Sequence, residues 1–329
     1  MKRTKPLDVL GVGALLADQI VNVTDELISQ LPGKKGGMET VEYQGMEELL
    51  RLTNSTSPLI PGGSCANVIR SLAHLGRKCA LMGKIGDDKI GNSLLNNLET
   101  LGIETLYSKS STPTGQVVSL VTPDGERTCR SYLGAHKEIS PTDLIPDQFE
   151  NVKFVHIEGY TLLYPGLTEC AMQYAKEAGA KISFDLSSFE IVEAHKDNIL
   201  KLLSQFIDIC FANKLEAHLI TGKTSEEGCT ALKNLCPLAV VSLGKEGCFV
   251  GHKESVVHYP AYPVDHPVDT TGAGDLFAAG FLHGHLSGKS FDVCADYGAL
   301  LGAAIVQVQG TVLSDAQWKL LLKRLAYKS

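Results

Sequence analysis

The sequence predicts an α/β fold with a mainly parallel central sheet, helices on both faces and a small β-rich lid. Three observations support this prediction. After residue 60, short apolar segments alternate with segments whose apolar residues recur at helical spacing. Glycines follow several of the helical segments, where helices commonly end. Two stretches, about 18–60 and 105–134, interrupt the alternation. We therefore expect one domain over 1–329, with a lid formed by these two stretches.

The elements of the central sheet follow from the alternation itself. The first strand is expected at 7–15, which reads LDVLGVGAL. Later strands are expected within 78–86, 153–159, 181–186, 207–213 and 238–244. Helices are expected within 67–76, 90–102, 167–179, 197–206, 214–222, 274–288 and 292–310. Repeated strand–helix units favour parallel pairing, and ligands of such sheets bind beyond the carboxyl ends of the strands.

The two interrupting stretches have different compositions. Residues 105–134 read as antiparallel strands, with a tight turn at Asp124-Gly125 between β-branched runs. Residues 18–60 combine a polar, helix-like piece with a PGKKGG segment. Short strands outside a parallel sheet often cover its edge, so we interpret both stretches as a lid rather than as an independent domain.

Composition and charge exclude several functional classes. Of the 329 residues 44% are hydrophobic and the formal net charge is −7, without a Lys/Arg-rich stripe, which argues against nucleic acid or an anionic membrane as partner. Apolar runs all fall short of the ~20 residues of a membrane span. The N-terminal stretch superficially resembles a secretory signal, but Asp8 and two glycines favour a buried strand. The nine cysteines lack C-x-x-C spacing, which favours reduced thiols in a cytoplasmic protein over disulfides or zinc.

The segment DTTGAGD at 269–275 carries the strongest chemical signal. The backbone N–H groups of Gly272, Ala273 and Gly274 are expected to line a concavity at the start of a helix, where anions bind. Asp275 follows directly, and a carboxylate at that place suits a base that removes the proton of an attacking hydroxyl. The alternative is that the glycines only permit tight packing and that Asp275 caps the helix.

This segment resembles the C-terminal signature of the PfkB family, the ribokinase-like sugar and nucleoside kinases. PGGSCANVIRSLAHLG at 61–76 is similar to the N-terminal signature of that family. Between them, KIGDDKIGNSLLNN resembles the Gly-x-Asp-x-x-Gly segment, ANKLEAHLITG the Asn-x-x-Glu motif, and VVSLGKEGCFV the strand–Gly-x-x-Gly turn. The five motifs occur in order and cover almost the whole chain.

The resemblance implies a role for each matching residue. Substrate hydroxyls would be held by Asp18 and Asn67, and the lid would hinge at Gly62 and Gly63. Mg²⁺ and phosphate would be organised through waters by Asn213 and Glu216, the nucleotide would lie along Gly244, Gly247 and Thr270, and Asp275 would be the base. Local sequence alone leaves other interpretations open: a turn residue for Asp18, a helix cap for Asn67 and a solvated helix residue for Glu216.

Smaller resemblances reduce the number of candidate phosphate acceptors. The long interval between Asp18 and Gly62 and the segment FDLSSFEI at 184–191 resemble adenosine kinases, although Asp185 stands where that branch has Asn. GERTCRSYLGA is also similar to chains of that branch. We therefore expect a kinase that uses ATP and Mg²⁺ to phosphorylate a nucleoside, with adenosine as the leading candidate.

Several alternatives stay open from sequence. Cytidine, inosine or guanosine, and ribose, fructose or a keto-sugar, are other acceptors. K⁺ activation, a monomeric or homodimeric state and a non-catalytic binding relative also stay open. A Rossmann dehydrogenase is rejected, because Leu16 occupies the place of the third glycine after GVG.

Overall fold

The computed structural model describes residues 5–54, 56–124 and 126–327. Its strands are β1 (Leu7–Val12), β2 (Leu16–Asn22), β3 (Met38–Thr40), β4 (Ile60–Gly62), β5 (Cys79–Gly86), β6 (Glu104–Ser110), β7 (Thr114–Val121), β8 (Arg127–Gly134), β9 (Val152–Glu158), β10 (Lys181–Asp185), β11 (Ile209–Asn213), β12 (Leu238–Ser242), β13 (Cys248–His252) and β14 (Ser255–Tyr259). Its α-helices are α1 (Asp25–Gln30), α2 (Tyr43–Thr53), α3 (Ser64–His74), α4 (Lys89–Thr100), α5 (Leu167–Glu177), α6 (Phe189–Gln205), α7 (Lys214–Thr221), α8 (Ser225–Lys233), α9 (Ala273–Leu286), α10 (Phe291–Ile305) and α11 (Asp315–Tyr327).

A large sheet forms the centre of the molecule. Its strand order is β14-β13-β12-β11-β10-β9-β1-β5-β6, and pairing is parallel from β12 to β6. Within the described part of this sheet, antiparallel pairing is confined to one edge, where β13 pairs with β12 and β14 pairs with β13. The predicted, mainly parallel α/β architecture is therefore confirmed. Chain order runs outward in opposite directions from β1 and β9, and ligands of such sheets bind at this switch point.

Apolar side chains cover both faces of this sheet because successive residues of a strand point to opposite sides. On β1, Val9 belongs to the buried cluster that includes residues of α3, α9 and α10. Leu10 belongs to the cluster on the other face, which includes residues of α5, α6 and α8. Within the described part of the chain, no helix has the length and apolar character needed to span a membrane. All nine cysteines are free thiols.

A smaller sheet, in the order β3-β8-β7-β2-β4, forms the lid. It has its own apolar cluster, which includes Val21, Met46 and Leu120. Strands β7 and β8 form the predicted antiparallel hairpin, although Gly125 of the predicted turn lies outside the described residues. Strands β2 and β3, which lie outside the stretch expected to be antiparallel, pair parallel with β7 and β8.

The lid also begins later than 105. Strand β6 pairs parallel with β5 at the edge of the large sheet, from Ala80–Glu104 to Gly86–Ser110. Helix α4 joins these two strands, so β5, α4 and β6 form an ordinary crossover unit of the central domain. The second lid segment therefore starts with β7, and the expected boundary at 105 is corrected.

The carboxyl ends of four parallel strands present polar residues at one edge of the sheet. Glu158, Asp185, Asn213 and Ser242 are the last residues of β9, β10, β11 and β12. The start of α9 lies against the same edge, because Asp185, Asn213 and Ser242 line one cavity with Gly274. This edge holds the candidate site.

Candidate active site

The loop before α9 has the form expected of an anion site. Gly272 precedes the helix with φ +75°, in the left-handed region that favours glycine, and a Cβ there would lie 3.0 Å from the Thr311 side chain. The N–H of Ala273 differs from the expectation, because it donates to the carbonyl of Thr270 at 3.2 Å. Among the described residues, the N–H groups of Gly272 and Gly274 have no hydrogen-bond partner, so these two are available to an anion.

Asp275, in the first turn of α9, is held by two donors from α3. Its Oδ1 accepts a hydrogen bond from the Ser64 hydroxyl at 2.7 Å, and its Oδ2 accepts one from Asn67 Nδ2 at 2.8 Å. Burial raises the pKa of Asp275 to about 6, and the bonds from Asn67 and Ser64 oppose that rise. The carboxylate is therefore fixed in orientation and has the proton affinity of a base that works near neutral pH.

Asp18 lies against the glycine pair that precedes α3. A Cβ at Gly62 would lie 2.1 Å from Asp18 Oδ2, so only glycine lets the chain approach this carboxylate so closely. The pKa of Asp18 is raised to about 7, mainly by burial and further by the nearby charge of Asp275. The positive charges of Arg70 and Arg127 act in the opposite direction and lower this pKa. The structure therefore brings together Asp18, Gly62, Asn67 and Asp275.

Arg70 is buried beside these residues, one helical turn after Asn67. Its Nη1 donates to the carbonyl oxygen of Pro61 at 2.8 Å and to Asn67 Oδ1 at 3.2 Å. Burial lowers the pKa of Arg70 to about 10, and the charge of Asp18 opposes that change. The guanidinium therefore bonds lid strand β4 and the Asn67 side chain, and its charge acts on Asp18.

Glu158 joins β9 to the loops on either side of the site. Its Oε1 accepts from the N–H of Ala14 at 2.8 Å, and its Oε2 accepts from the N–H of Cys65 at 2.7 Å. Only 1% of this side chain is exposed. Burial raises the pKa of Glu158 to about 7, with the two N–H bonds acting against the rise. The residue fixes the start of α3, and with it Ser64 and Asn67, relative to β1.

Two cavities meet at the start of α9. The first, of about 280 Å³, is polar and includes Asp185, Asn213, Glu216 and Asp275. The second, of about 310 Å³, is lined mainly by apolar side chains. Apart from residues shared with the first, its lining includes Gly244, Gly247, Tyr262, Pro263, Val264, Ala299, Ala303 and Val306. Thr270, Ala273 and Gly274 line both cavities, so one elongated ligand can pass over the start of the helix from one to the other.

The polar cavity suits a hydrated divalent cation. Burial raises the pKa of Asp185 well above its usual range, and the nearby carboxylates of Glu216 and Asp275 raise it further. Burial also raises the pKa of Glu216 to about 7. Crowded oxygen ligands of this kind are what Mg²⁺ prefers, and a cation would offset their mutual repulsion. No group of three His, Cys, Asp or Glu residues suited to hold a metal occurs in the described ranges, so waters and phosphate would complete the shell.

Hydrogen bonds position the two carboxylates that could face a metal, Glu216 and Asp185. Asn213 caps α7 and donates two hydrogen bonds to Glu216. Its backbone N–H donates to Oε2 at 2.8 Å, and its Nδ2 donates to Oε1 at 2.7 Å. The Asp185 Oδ1 accepts from the N–H of Ser187 at 2.7 Å. Asn213 and Glu216 therefore form the pair that the sequence predicts, and Asp185 joins them.

The lid reaches the loop before α9 through Arg127. Its Nη1 donates to the carboxylate of Asp269 and to the hydroxyl of Thr271, and its Nη2 donates to the Ser119 hydroxyl at 3.1 Å. Asp269 is itself buried and also accepts from the N–H groups of Thr271 at 2.9 Å and Gly310 at 2.8 Å. Asp269 therefore organises the loop, while Arg127 attaches the lid to it.

Comparison with known proteins identifies the family. Residues 41–318 match the pfkB family carbohydrate kinase domain. The chain belongs to the PfkB family. It is thus a kinase, a phosphotransferase, and its fold is the ribokinase-like α/β fold.

Similar PfkB proteins include both sugar and nucleoside kinases. The chain is 28% identical to 2-dehydro-3-deoxygluconokinase of Bacillus subtilis (strain 168), over 82% of this chain and 86% of that protein. It is 27% identical to adenosine kinase of Saccharomyces cerevisiae, over 93% and 96%. The crystal structure of adenosine kinase from Sinorhizobium meliloti superposes with a TM-score of 0.88 at 29% identity, covering 97% of this chain and 100% of that one.

Four residues of the PfkB site were not singled out from sequence. Ser64 and Arg70 lie at i−3 and i+3 from Asn67, so a stripe of polar residues on an otherwise apolar helix could have indicated them. Glu158 is an acidic residue at the end of a buried strand, where ligand sites are common. Arg127 carried no local signal for its contact with the loop before α9, because Asp269 and Thr271 lie more than 140 residues away in the chain.

Proposed function

We propose that this PfkB protein transfers the γ-phosphoryl group of Mg-ATP to a primary hydroxyl of a nucleoside. The 5′-OH of adenosine is the leading candidate acceptor. The observation that carries the proposal is the position of Asp275. This carboxylate lies where a polar and an apolar cavity meet, beside the start of a helix with open N–H groups. Base and anion site must be neighbours in phosphoryl transfer, because the attacked phosphorus lies between them.

Asp275 accepts the proton of the acceptor hydroxyl as its oxygen attacks the γ-phosphorus. The amide of Asn67 and the hydroxyl of Ser64 hold both carboxylate oxygens, so the base is oriented before the acceptor arrives. Asp18 accepts hydrogen bonds from other hydroxyls of the acceptor. The N–H groups of Gly272 and Gly274 stabilise the charge that spreads over the transferring group.

The nucleotide occupies the two cavities together. Its base and ribose lie in the apolar cavity beside Gly244, Gly247 and Thr270, and its phosphates cross the start of α9 into the polar one. Mg²⁺, when bound, supplies charge neutralisation of the phosphates, and Asn213, Glu216 and Asp185 would hold it through waters. We further propose a cytoplasmic location, where ATP is abundant.

The lid excludes water, which would otherwise compete with the acceptor. Gly62 and Gly63 join lid strand β4 to α3, and Arg127 contacts the loop before α9. Support for a nucleoside comes from the likeness to adenosine kinase over nearly the full length of both chains. A sugar kinase is the second candidate, because the likeness to 2-dehydro-3-deoxygluconokinase is as high in identity.

The decisive experiment measures ADP release with Mg-ATP across adenosine, guanosine, inosine, cytidine, ribose, fructose and a 2-keto-3-deoxy sugar acid. Asp275→Asn serves as the negative control. Turnover of adenosine or another nucleoside without a sugar signal is the expected result. Turnover of a sugar alone would contradict the proposed acceptor and would favour the second candidate. ATP binding without turnover of any compound would contradict both candidate acceptors.

A further inference from the structure

The buried Arg70 has features that a purely structural role does not explain. Only 6% of the residue is exposed, and its Nε–H has no hydrogen-bond partner among the described residues. Burying a guanidinium with an unpartnered donor destabilises a fold, since the group loses hydration without full replacement. A Met or Leu would fill the same space on α3 at lower cost. We therefore expect contributions of Arg70 that require a positive charge and hydrogen-bond donors of fixed geometry.

The first such contribution is the orientation of the Asn67 amide. Arginine can only donate, so its bond to Asn67 Oδ1 requires the oxygen of that amide to face Arg70. The Nδ2 group then faces Asp275 Oδ2, to which it donates at 2.8 Å. A reversed amide would place N–H groups against the guanidinium and a carbonyl oxygen against the carboxylate. Arg70 thus fixes the donor that orients the base.

The second contribution is electrostatic. Three charged groups act on Asp18: Arg70 from α3, Asp275 from α9 and Arg127 from β8. Arg70 has the largest effect of these and favours the ionised form, against burial. An ionised Asp18 accepts two hydrogen bonds from acceptor hydroxyls, whereas a protonated one would donate one of them itself.

The third contribution connects these side chains to the hinge of the lid. Arg70 Nη1 also donates to the carbonyl of Pro61, the residue before Gly62-Gly63. The hydroxyl of Thr311, beside the start of α9, donates to the same carbonyl at 3.2 Å. One guanidinium thereby bonds both lid strand β4 and the Asn67 amide, and its charge also acts on the Asp18 carboxylate.

We propose that Arg70 is a positioning residue for phosphoryl transfer, which sets the Asn67 amide toward Asp275, keeps Asp18 ready to accept acceptor hydroxyls and fixes the lid hinge. The inference rests on the proposed function, in which Asp18 and Asn67 hold the acceptor and Asp275 is the base. It assigns no contact with the substrate to Arg70 itself.

The test compares Arg70→Met and Arg70→Lys with a matched control, Arg77→Met. Arg77 follows α3 and also bonds α9, but through the His283 ring at 3.1 Å and the His283 carbonyl at 2.7 Å, two turns beyond Asp275. Each variant is assayed with the best acceptor of the wild-type chain. The readouts are kcat, the KM values for acceptor and ATP, the pH profile of kcat/KM and the thermal midpoint.

We expect Arg70→Met to raise the acceptor KM about tenfold and lower kcat about tenfold, while the KM for ATP changes less than about twofold. The acidic limb of kcat/KM should move to higher pH, because Asp18 loses the cation that lowers its pKa most. Arg70→Lys should restore that limb but keep a reduced kcat, since one shorter ammonium cannot replace the bonds to both Pro61 and Asn67. Arg77→Met should lower the thermal midpoint only.

Other results would overturn the inference. A folded Arg70→Met variant with kcat, acceptor KM and pH profile like those of Arg77→Met would show that Arg70 is only structural. If Arg70→Met does not fold, the kinetics of Arg70→Lys test the inference instead. A kcat and an acceptor KM equal to those of the wild type in Arg70→Lys would contradict it. A wild-type chain without turnover of any acceptor overturns the proposed function and this inference together, whereas an active wild type with an unaffected Arg70→Met overturns this inference alone.

Discussion

Arg127 of lid strand β8 forms an ion pair with Asp269, which lies 142 positions later in the chain, at the start of the DTTGAGD segment. The carboxylate of Asp269 is also held by two backbone N–H groups, so it keeps its place without the arginine. The ion pair therefore acts mainly on the lid. It connects the hairpin β7–β8 to the loop before α9.

Arg127→Met is expected to loosen this attachment without disturbing the loop. The acceptor KM should rise roughly tenfold, which corresponds to the loss of one favourable, partly buried ionic contact. The ratio of ATP hydrolysis to acceptor phosphorylation should also rise, because a loosened lid admits water. Both are measured by ADP release with and without acceptor. Arg51→Met, at an exposed lid residue paired with Glu48 at 3.8 Å, is the control and should behave as wild type. Unchanged coupling in Arg127→Met would refute this role.

Asp275→Asn should lower kcat by ~10²-fold or more, because an amide cannot take the proton of the acceptor hydroxyl. The fold should persist, since the amide oxygen can still accept from Asn67 Nδ2 while the amide NH2 group donates to the Ser64 hydroxyl oxygen. ATP binding, measured by calorimetry, should change little. Asp292→Asn provides the matched control, because Asp292 lies in the first turn of α10 and is exposed. Turnover of Asp275→Asn close to that of the control would rule out Asp275 as the base.

The pH dependence should reveal the two raised carboxyl pKa values. Asp275 must be ionised to act as base, and Asp18 must be ionised to accept hydroxyl groups. Their pKa values lie at about 6 and about 7, above the ordinary value near 3.8. kcat/KM should therefore increase as the pH rises from 5 to 8 and should reach a plateau above that range. A profile already flat at pH 5 would contradict the raised pKa values, provided that circular dichroism shows a folded protein throughout.

Glu158→Ala should destabilise the fold by about 2–4 kcal/mol, because two buried N–H groups, those of Ala14 and Cys65, lose their acceptor. Urea unfolding at pH 7.5 measures the change. Glu177→Ala is the control: this exposed side chain accepts one bond from Gln173, and its loss should cost less than about 0.5 kcal/mol. Equal stability of the two variants would mean that Glu158 does not support the start of α3.

The same carboxyl group should make stability depend on pH. The pKa of Glu158 is about 7 in the folded state, above its ordinary value of 4.5. Between these values the folded state binds the proton more tightly than the unfolded state, so this residue contributes less to stability as the pH rises through 7. The difference in unfolding free energy between wild type and Glu158→Ala should accordingly be larger at pH 5 than at pH 8.

Local patterns predicted six of the nine strands of the central sheet, β1, β5, β9, β10, β11 and β12, and several residues of the candidate site. Strand and helix periodicities and the PfkB motifs are properties of short segments. They could not predict which segments meet. Asn67 and Asp275 were both expected to act, yet their hydrogen bond joins residues 208 positions apart. Strand β6 was assigned to the lid, because a short polar strand at a sheet edge has the same pattern as a lid strand. The effect of Arg70 on Asn67 depends on side-chain geometry that no spacing encodes.

The lid has an apolar cluster of its own and leaves the central domain only at strand ends near β1, α3, β6 and β9. Asp275, the N–H groups before α9 and the apolar cavity all belong to the central domain. Replacement of the lid should therefore leave these features of the central domain intact. We expect chimaeras that carry the lid of a sugar-kinase or nucleoside-kinase relative to differ in acceptor choice.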